Sequence, residues 1–151
     1  MKKITVMLTA VVLGTVAAFA GVISIPQFND GGGNTNSNFF PPSASATFIA
    51  LKNNTSTTQT YTVLYFNLIG DNRTPTANTF TIAGNASIGW RPVADDPNEG
   101  VLGQAIPNAT GAGGSGSATI LYSDSVDPSG RVFVNAGATL SSYGFALFPA
   151  Q

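Results

Sequence analysis

The sequence predicts an all-β protein, a single antiparallel β-sandwich or jelly-roll-like domain of about seven or eight strands. Short segments rich in Val, Ile, Thr, Phe and Tyr alternate between apolar and polar residues, which is typical of strands. Gly, Pro, Asn and Asp separate these segments, as they do in turns. Helix-forming residues are scarce: Glu99 is the only glutamate in 151 residues. A chain of this length can bury one core but not two.

The N-terminus has the pattern of a cleavable secretory signal peptide, which we predict at residues 1–20. Lys2 and Lys3 precede an uncharged apolar run, and Ala18-Phe19-Ala20 provides the small-x-small cleavage site. An uncleaved membrane anchor is the alternative, because the run is long enough to span a bilayer. Removing two of the 6 basic residues leaves 4 against 7 acidic ones, a net charge of −3. We therefore expect a mildly acidic protein that is secreted to the extracellular space or the cell surface.

Residues 21–38 are predicted to be an N-terminal extended strand followed by a linker. Gly21–Phe28 is apolar, and Pro26 cannot donate a backbone hydrogen bond in the middle of a sheet. Residues 29–38 are rich in Gly and Asn and carry one charge, a composition typical of flexible linkers. The sandwich domain is then expected to occupy residues 39–151.

The sandwich domain contains seven predicted strands. In chain order they are Ser45–Lys52, Gln59–Ile69, Thr79–Ala83, Ser87–Val93, Ser117–Ser123, Arg131–Asn135 and Thr139–Phe148. The longest, Gln59–Ile69, is apolar on both faces, which predicts a central position in its sheet. Gly84-Asn85 suits a turn with positive φ and predicts a hairpin between the two strands that flank it.

The composition excludes several classes of function. The chain has no His and no Cys, so it has no Ser-His-Asp triad, no Cys nucleophile, no His or Cys zinc site and no disulfide. Six basic residues are too few for a nucleic-acid surface. Residues 111–116 match G-x-G-x-x-G, but a strand follows instead of a helix, so we interpret them as a loop. We expect a protein that is not an enzyme; the alternative is a hydrolase that uses only carboxylates, Asp71 with Asp95 or Glu99.

Two further features have a binding interpretation and a structural one. An acidic loop supplies closely spaced oxygen ligands that suit calcium, namely Asp95, Asp96, Asn98 and Glu99. A solvated turn explains the same loop, and otherwise no cofactor is expected. Trp90 is able to stack on a sugar, but it shares a strand face with Ile88, which favours burial in the core. Arg91 is expected to pair with the acidic loop.

The apolar N-terminal strand carries the functional hypothesis. Its apolar side chains must be buried, either in the protein's own sheet or in a groove on a neighbouring copy. Repeated head to tail, the second arrangement builds an open fibre. The expected inter-subunit residues are Val22, Ile23, Ile25 and Phe28. The expected acceptor groove and core residues are Phe48, Leu64, Phe66, Phe145 and Leu147.

The predicted function is therefore that of a structural protein, a subunit of an extracellular fibre or matrix that assembles by strand exchange. Its expected partner is a second copy of itself, with neither a nucleic acid nor, in the mature form, a membrane as partner. The alternative is a secreted binding module for a carbohydrate or another cell-surface partner, with or without calcium. Surface glycans belong to this alternative.

Overall fold

A computed structural model describes residues 20–29, 45–93, 106–111, 114–136 and 142–147. These residues form strands and connecting segments, with no helix among them. The strands are β1 (Gly21–Asn29), β2 (Ser45–Lys52), β3 (Gln59–Asn67), β4 (Thr79–Ile82), β5 (Ser87–Trp90), β6 (Ser115–Tyr122), β7 (Ser129–Ala136) and β8 (Ser142–Leu147). The prediction of an all-β protein is confirmed.

The strands form two antiparallel sheets, as in a β-sandwich. The first sheet has the order β1-β6-β3-β4 and the second has the order β5-β2-β7-β8. The long strand β3 lies between β6 and β4, as its two apolar faces predict. This strand order does not confirm the predicted jelly-roll, and the predicted signal peptide lies outside the described residues apart from Ala20.

Most connections pass from one sheet to the other, and this corrects the predicted hairpin at Gly84-Asn85. β4 pairs with β3 in the first sheet, whereas β5 pairs with β2 in the second. The turn itself has the predicted geometry, because Asn85 has a φ of 60°. The crossing lets both short strands bury their apolar residues face to face: the rings of Phe80 and Trp90 lie 5.4 Å apart.

One hydrophobic core lies between the sheets. Alternate residues of strands β1 to β7 enter it, and the cluster draws on both sheets, for example Val63 and Ile120 from the first and Ile49 and Val132 from the second. Each of these four side chains is fully buried, with a relative exposure of 0%. Shared burial of this kind is the main force that holds two sheets together.

A buried hydrogen-bond chain also connects the sheets. The indole Nε1 of Trp90 in β5 donates to the hydroxyl of Tyr65 in β3 over 2.8 Å. That hydroxyl donates in turn to the carbonyl oxygen of Pro107, also over 2.8 Å. Trp90 has an exposure of 0%, so the prediction that it belongs to the core is confirmed. Within the described ranges, no helix has the length and hydrophobicity that a membrane crossing requires.

Candidate functional site

The candidate functional site is the N-terminal strand β1 together with the place it occupies in the first sheet. β1 is an edge strand, and β6 of the same chain is the only described strand that pairs with it in the sheet. It begins at Gly21, the first residue of the predicted mature chain. The pairing is antiparallel and runs from Gly21 opposite Tyr122 to Asn29 opposite Ser115.

The inward side chains of β1 are an integral part of the core. Ile23 and Ile25 have an exposure of 0% and Phe28 has an exposure of 2%. The ring of Phe28 meets that of Tyr65 edge-on, at a centroid distance of 6.0 Å. Val22 is half-buried on the alternate side of the strand. Burying three such side chains contributes roughly 4.5 to 9 kcal/mol, at about 1.5–3 kcal/mol each.

An irregularity in β1 explains how the strand tolerates proline. The register shifts by one residue between Ile25, which faces Ala118, and Phe28, which faces Gly116. Pro26 lies within this β-bulge and is exposed. Proline is accommodated at bulges and edge strands because its nitrogen has no hydrogen to donate. The position of Pro26 agrees with the expectation that its nitrogen cannot supply the backbone donor that a central strand requires.

The C-terminal end of β1 is attached to both sheets. The backbone nitrogen of Asn29 donates to the Thr47 hydroxyl over 2.8 Å, and that hydroxyl donates to the Asn29 carbonyl over 2.9 Å. Thr47 belongs to β2 of the second sheet and is fully buried. In the first sheet, the hydroxyl of Ser115 donates to the Asn29 side-chain oxygen over 3.0 Å. The strand is therefore held in one register at this end.

The N-terminal end of β1 packs against Tyr122. The Ala20 nitrogen donates to the Tyr122 carbonyl over 2.7 Å. A Cβ atom at Gly21 would overlap the Tyr122 hydroxyl, so a larger residue there would require the Tyr122 ring to move. The hydroxyl donates to the Asp127 carboxylate over 2.6 Å. Burial, assisted by this hydrogen bond and by the negative charge of Asp127, raises the pKa of Tyr122 to about 12.

The expected acceptor groove needs correction, because Leu64 and Phe66 do not face the core. They are half-buried, on the side of β3 opposite the buried residues Tyr61, Val63 and Tyr65. The sequence contained a signal for the correct face. The face that carries Leu64 and Phe66 also carries two threonines at the start of β3, Thr60 and Thr62. Because successive residues of a strand point to opposite faces, an error in the choice of the buried face misplaces every residue of the strand.

Phe48 is also on the outer side of its strand, although it is buried. In β2 the residues that enter the core cluster are Ile49 and Leu51. The Phe48 ring covers Gly89 on the neighbouring strand so closely that a Cβ atom there would overlap the ring. Phe145 and Leu147 lie in β8, with backbone positions opposite Val132 and Gly130. Their part in an acceptor groove stays a prediction.

Most residues of the other candidate sites lie outside the described part of the chain. The calcium candidates Asp95, Asp96, Asn98 and Glu99 lie outside the described residues. So does the acidic loop that Arg91 was expected to contact; Arg91 itself is fully buried. Asp71, named for a carboxylate hydrolase, accepts a 2.9 Å hydrogen bond from the Asn67 amide in the turn that follows β3. Among the described residues, no three acidic side chains gather into a group able to hold a metal.

Comparisons with known proteins identify no family for this chain. No protein-family model matches it, and no curated protein is similar enough to count as a relative. Among solved structures, the chain is similar to the crystal structure of Thermotoga maritima 1070, with 10% sequence identity and a TM-score of 0.42. The alignment covers 87% of this chain and 94% of that one. This similarity is too low to support an inference about function.

Proposed function

We propose that the protein is a secreted, non-enzymatic structural subunit of an extracellular fibre or matrix, and that its copies join by exchanging β1. In this proposal residues 1–20 are removed as a signal peptide. The observation that carries it is the position of β1, which supplies Ile23, Ile25 and Phe28 to the core while pairing with a single strand at the sheet edge.

The contacts that hold β1 are the same whichever copy supplies the strand. The ladder to β6, the three buried side chains and the bonds from Asn29 to Thr47 all join β1 to the rest of the domain. An identical strand from a second copy makes each of them again. The form in which β1 stays in its own sheet and the exchanged form therefore differ chiefly in the path of the connection between β1 and β2. Protein concentration sets the balance between the two forms.

That connection is long enough to permit either arrangement. Residues 30–44 make 15 positions, beginning with a Gly/Asn-rich sequence. The sequence predicts a flexible linker at its start, and a flexible chain of 15 residues has a root-mean-square end-to-end distance of about 20 Å. The β1 strand of the same chain then competes with the β1 strands of other copies, at an effective concentration on the order of millimolar. We therefore expect exchange where copies are concentrated, as they are when many are secreted at one surface.

The strands also lack charges that would oppose association. All four strands of the first sheet are free of acidic and basic residues. A second copy that approaches the β1 edge meets backbone groups that no described strand pairs, and it meets no charge repulsion from the strands there.

A reversible lock on β1 tests the proposal in the full chain. Ser24 and Thr119 are cross-strand partners whose side chains lie outside the core, and the chain has no native cysteine. Cross-strand Cβ atoms are about 5 Å apart, a distance that a disulfide closes with a small movement. In Ser24→Cys/Thr119→Cys, oxidation ties β1 to its own β6 without changing the core.

The proposal predicts that this double variant forms filaments or large oligomers only when reduced, as measured by light scattering and negative-stain electron microscopy. The control is Thr60→Cys/Thr81→Cys, a cross-strand pair of exposed residues at the opposite edge of the same sheet. The control should assemble whether oxidised or reduced. Monomers in every sample, over a concentration series that reaches the millimolar range, would refute strand exchange and favour the secreted binding module.

A further inference from the structure

The second sheet contains an unusual pair of charges. Across all eight strands only two residues are charged, Lys52 in β2 and Arg131 in β7. Both lie on the outer face, because the core side of these strands is formed by Ile49, Leu51 and Val132. Lys52 is opposite Ser129, two residues before Arg131, so the two cations are diagonal neighbours. Diagonal Cβ atoms in a sheet are about 7–8 Å apart.

The two cations line one open depression on the sheet surface. Its volume is about 360 Å³, and its lining includes Ala50, Lys52, Ser87, Ser129, Gly130 and Arg131. The small side chain of Ala50, on the outer face, leaves the floor low, while the two cationic residues and two serines line the depression. Both cations and both serines are exposed. The depression therefore offers positive charge and hydroxyl groups to a ligand that arrives from solvent.

Nothing in the described part of the chain neutralises these charges. Lys52 has Ser87 and Ser129 as its cross-strand neighbours, and Arg131 has Ala50 and Ala146. Asp127, two residues before Ser129, directs its carboxylate to the Tyr122 hydroxyl. Neighbouring like charges on one sheet face destabilise a fold slightly, and a bound anion removes that cost.

Arg131 is also partly ordered for binding. Its guanidinium lies 4.0 Å from the centre of the Phe133 ring on the same face of β7. Such cation–π contacts restrict the side chain while leaving its N–H groups available. Guanidinium groups suit carboxylate and sulfate because their paired donors match two oxygens of the anion.

We propose that this depression binds the carboxylate or sulfate groups of an acidic polysaccharide. A free ion at so exposed a site gains little, since each solvent-exposed ion pair is weak. A polymer presents several charges, so it can contact both cations of one depression at once, which compensates for weak single contacts. The proposal goes beyond the proposed structural role and stands whether or not β1 is exchanged.

The test uses protein expressed from the full sequence and three polymers: polygalacturonate, dextran sulfate and uncharged dextran. Affinity electrophoresis in gels that contain each polymer gives the apparent affinity. The variant Lys52→Gln/Arg131→Gln removes both charges, and Lys52→Arg/Arg131→Lys keeps them. Arg73→Gln, in the loop after β3, is the control that removes a cation elsewhere. Trp90 fluorescence and light scattering confirm that each variant is folded and has the same oligomeric state.

We expect both acidic polymers to bind and uncharged dextran not to bind. The double Gln variant should lose about tenfold in apparent affinity, while the Arg/Lys exchange and Arg73→Gln should stay within about twofold. Equal binding to uncharged dextran, or equal losses in Arg73→Gln and the double Gln variant, would overturn the proposal. Complete displacement of the polymers by free sulfate at the same charge concentration would also overturn it, by identifying a free ion as the ligand.

Discussion

The hydrogen-bond chain through Tyr65 makes a quantitative prediction for Tyr65→Phe. The substitution keeps the ring, and with it the edge-on contact with Phe28, but removes the hydroxyl between Trp90 and Pro107. The indole N–H of Trp90 then has no partner at a position with an exposure of 0%. An orphaned buried donor costs about 1–3 kcal/mol. The half-buried Pro107 carbonyl has access to water and adds little.

Urea denaturation followed by fluorescence measures this cost directly, because Trp90 is the only tryptophan in the chain. The free energy of unfolding should fall by about 1–3 kcal/mol, with an unchanged m-value. The melting temperature should fall by about 4 °C for each kcal/mol in a domain of this size. A double-mutant cycle with Trp90→Phe, followed by circular dichroism, isolates the coupling between the two side chains. A loss below about 0.5 kcal/mol, or no coupling in the cycle, would refute the assignment of this bond as a buried link between the sheets.

Three further predictions concern the ends of β1 and the β2–β3 turn. Because the pKa of Tyr122 is raised to about 12 from its ordinary value near 10, its contribution to stability is intact below pH ~10 and is lost as the pH rises to ~12. The urea midpoints at pH 8 and pH 11.5 should differ more for the native chain than for Tyr122→Phe. An equal difference would show that ionisation of Tyr122 does not cause the loss of stability at high pH. Asn53 is fully buried, and its amide donates to the backbone carbonyls of Thr57, Ile82 and Ala83. Asn53→Ala should therefore lower the free energy of unfolding by about 2–3 kcal/mol. The same substitution at the exposed neighbour, Asn54→Ala, should lower it by less than about 1 kcal/mol. Gly116→Ala places a methyl group against the Phe66 carbonyl oxygen and 2.8 Å from the Phe28 ring. It should lower the free energy of unfolding by about 1–3 kcal/mol and reduce the hydrogen-exchange protection of β1. Unchanged protection would contradict this packing.

The strand positions were predictable from the sequence because they depend on local patterns. Alternation and turn residues located β2 to β8 to within a few residues, and the apolar segment from Gly21 to Phe28 was recognised as an extended strand. The burial of Trp90 followed from its shared face with Ile88. These features require no knowledge of which strand pairs with which.

The sequence was less informative about which sheet each strand joins and which face of a strand enters the core, because both depend on contacts between distant segments. Gly84-Asn85 predicts a turn equally well whether the following strand folds back or crosses to the other sheet. β3 is apolar on both faces, so Leu64 and Phe66 competed with Val63 and Tyr65 for the core. The depression between Lys52 and Arg131 also escaped prediction, since those residues are far apart in the chain and become neighbours only through the β2–β7 pairing.

The central claim, that β1 of one copy docks on β6 of another, is tested most directly by mixing two single variants, Ser24→Cys and Thr119→Cys. One variant is labelled with ¹⁵N, and the mixture is oxidised gently at the concentration where assembly occurs. Mass spectrometry then counts disulfides that join the two variants. A mixture of Ser24→Cys with Ser87→Cys, whose cysteine lies on the second sheet, measures chance collisions. Strand exchange predicts many more disulfides between the Ser24→Cys and Thr119→Cys copies than this control gives. A yield equal to the control would show that each β1 stays in its own sheet and would contradict the claim.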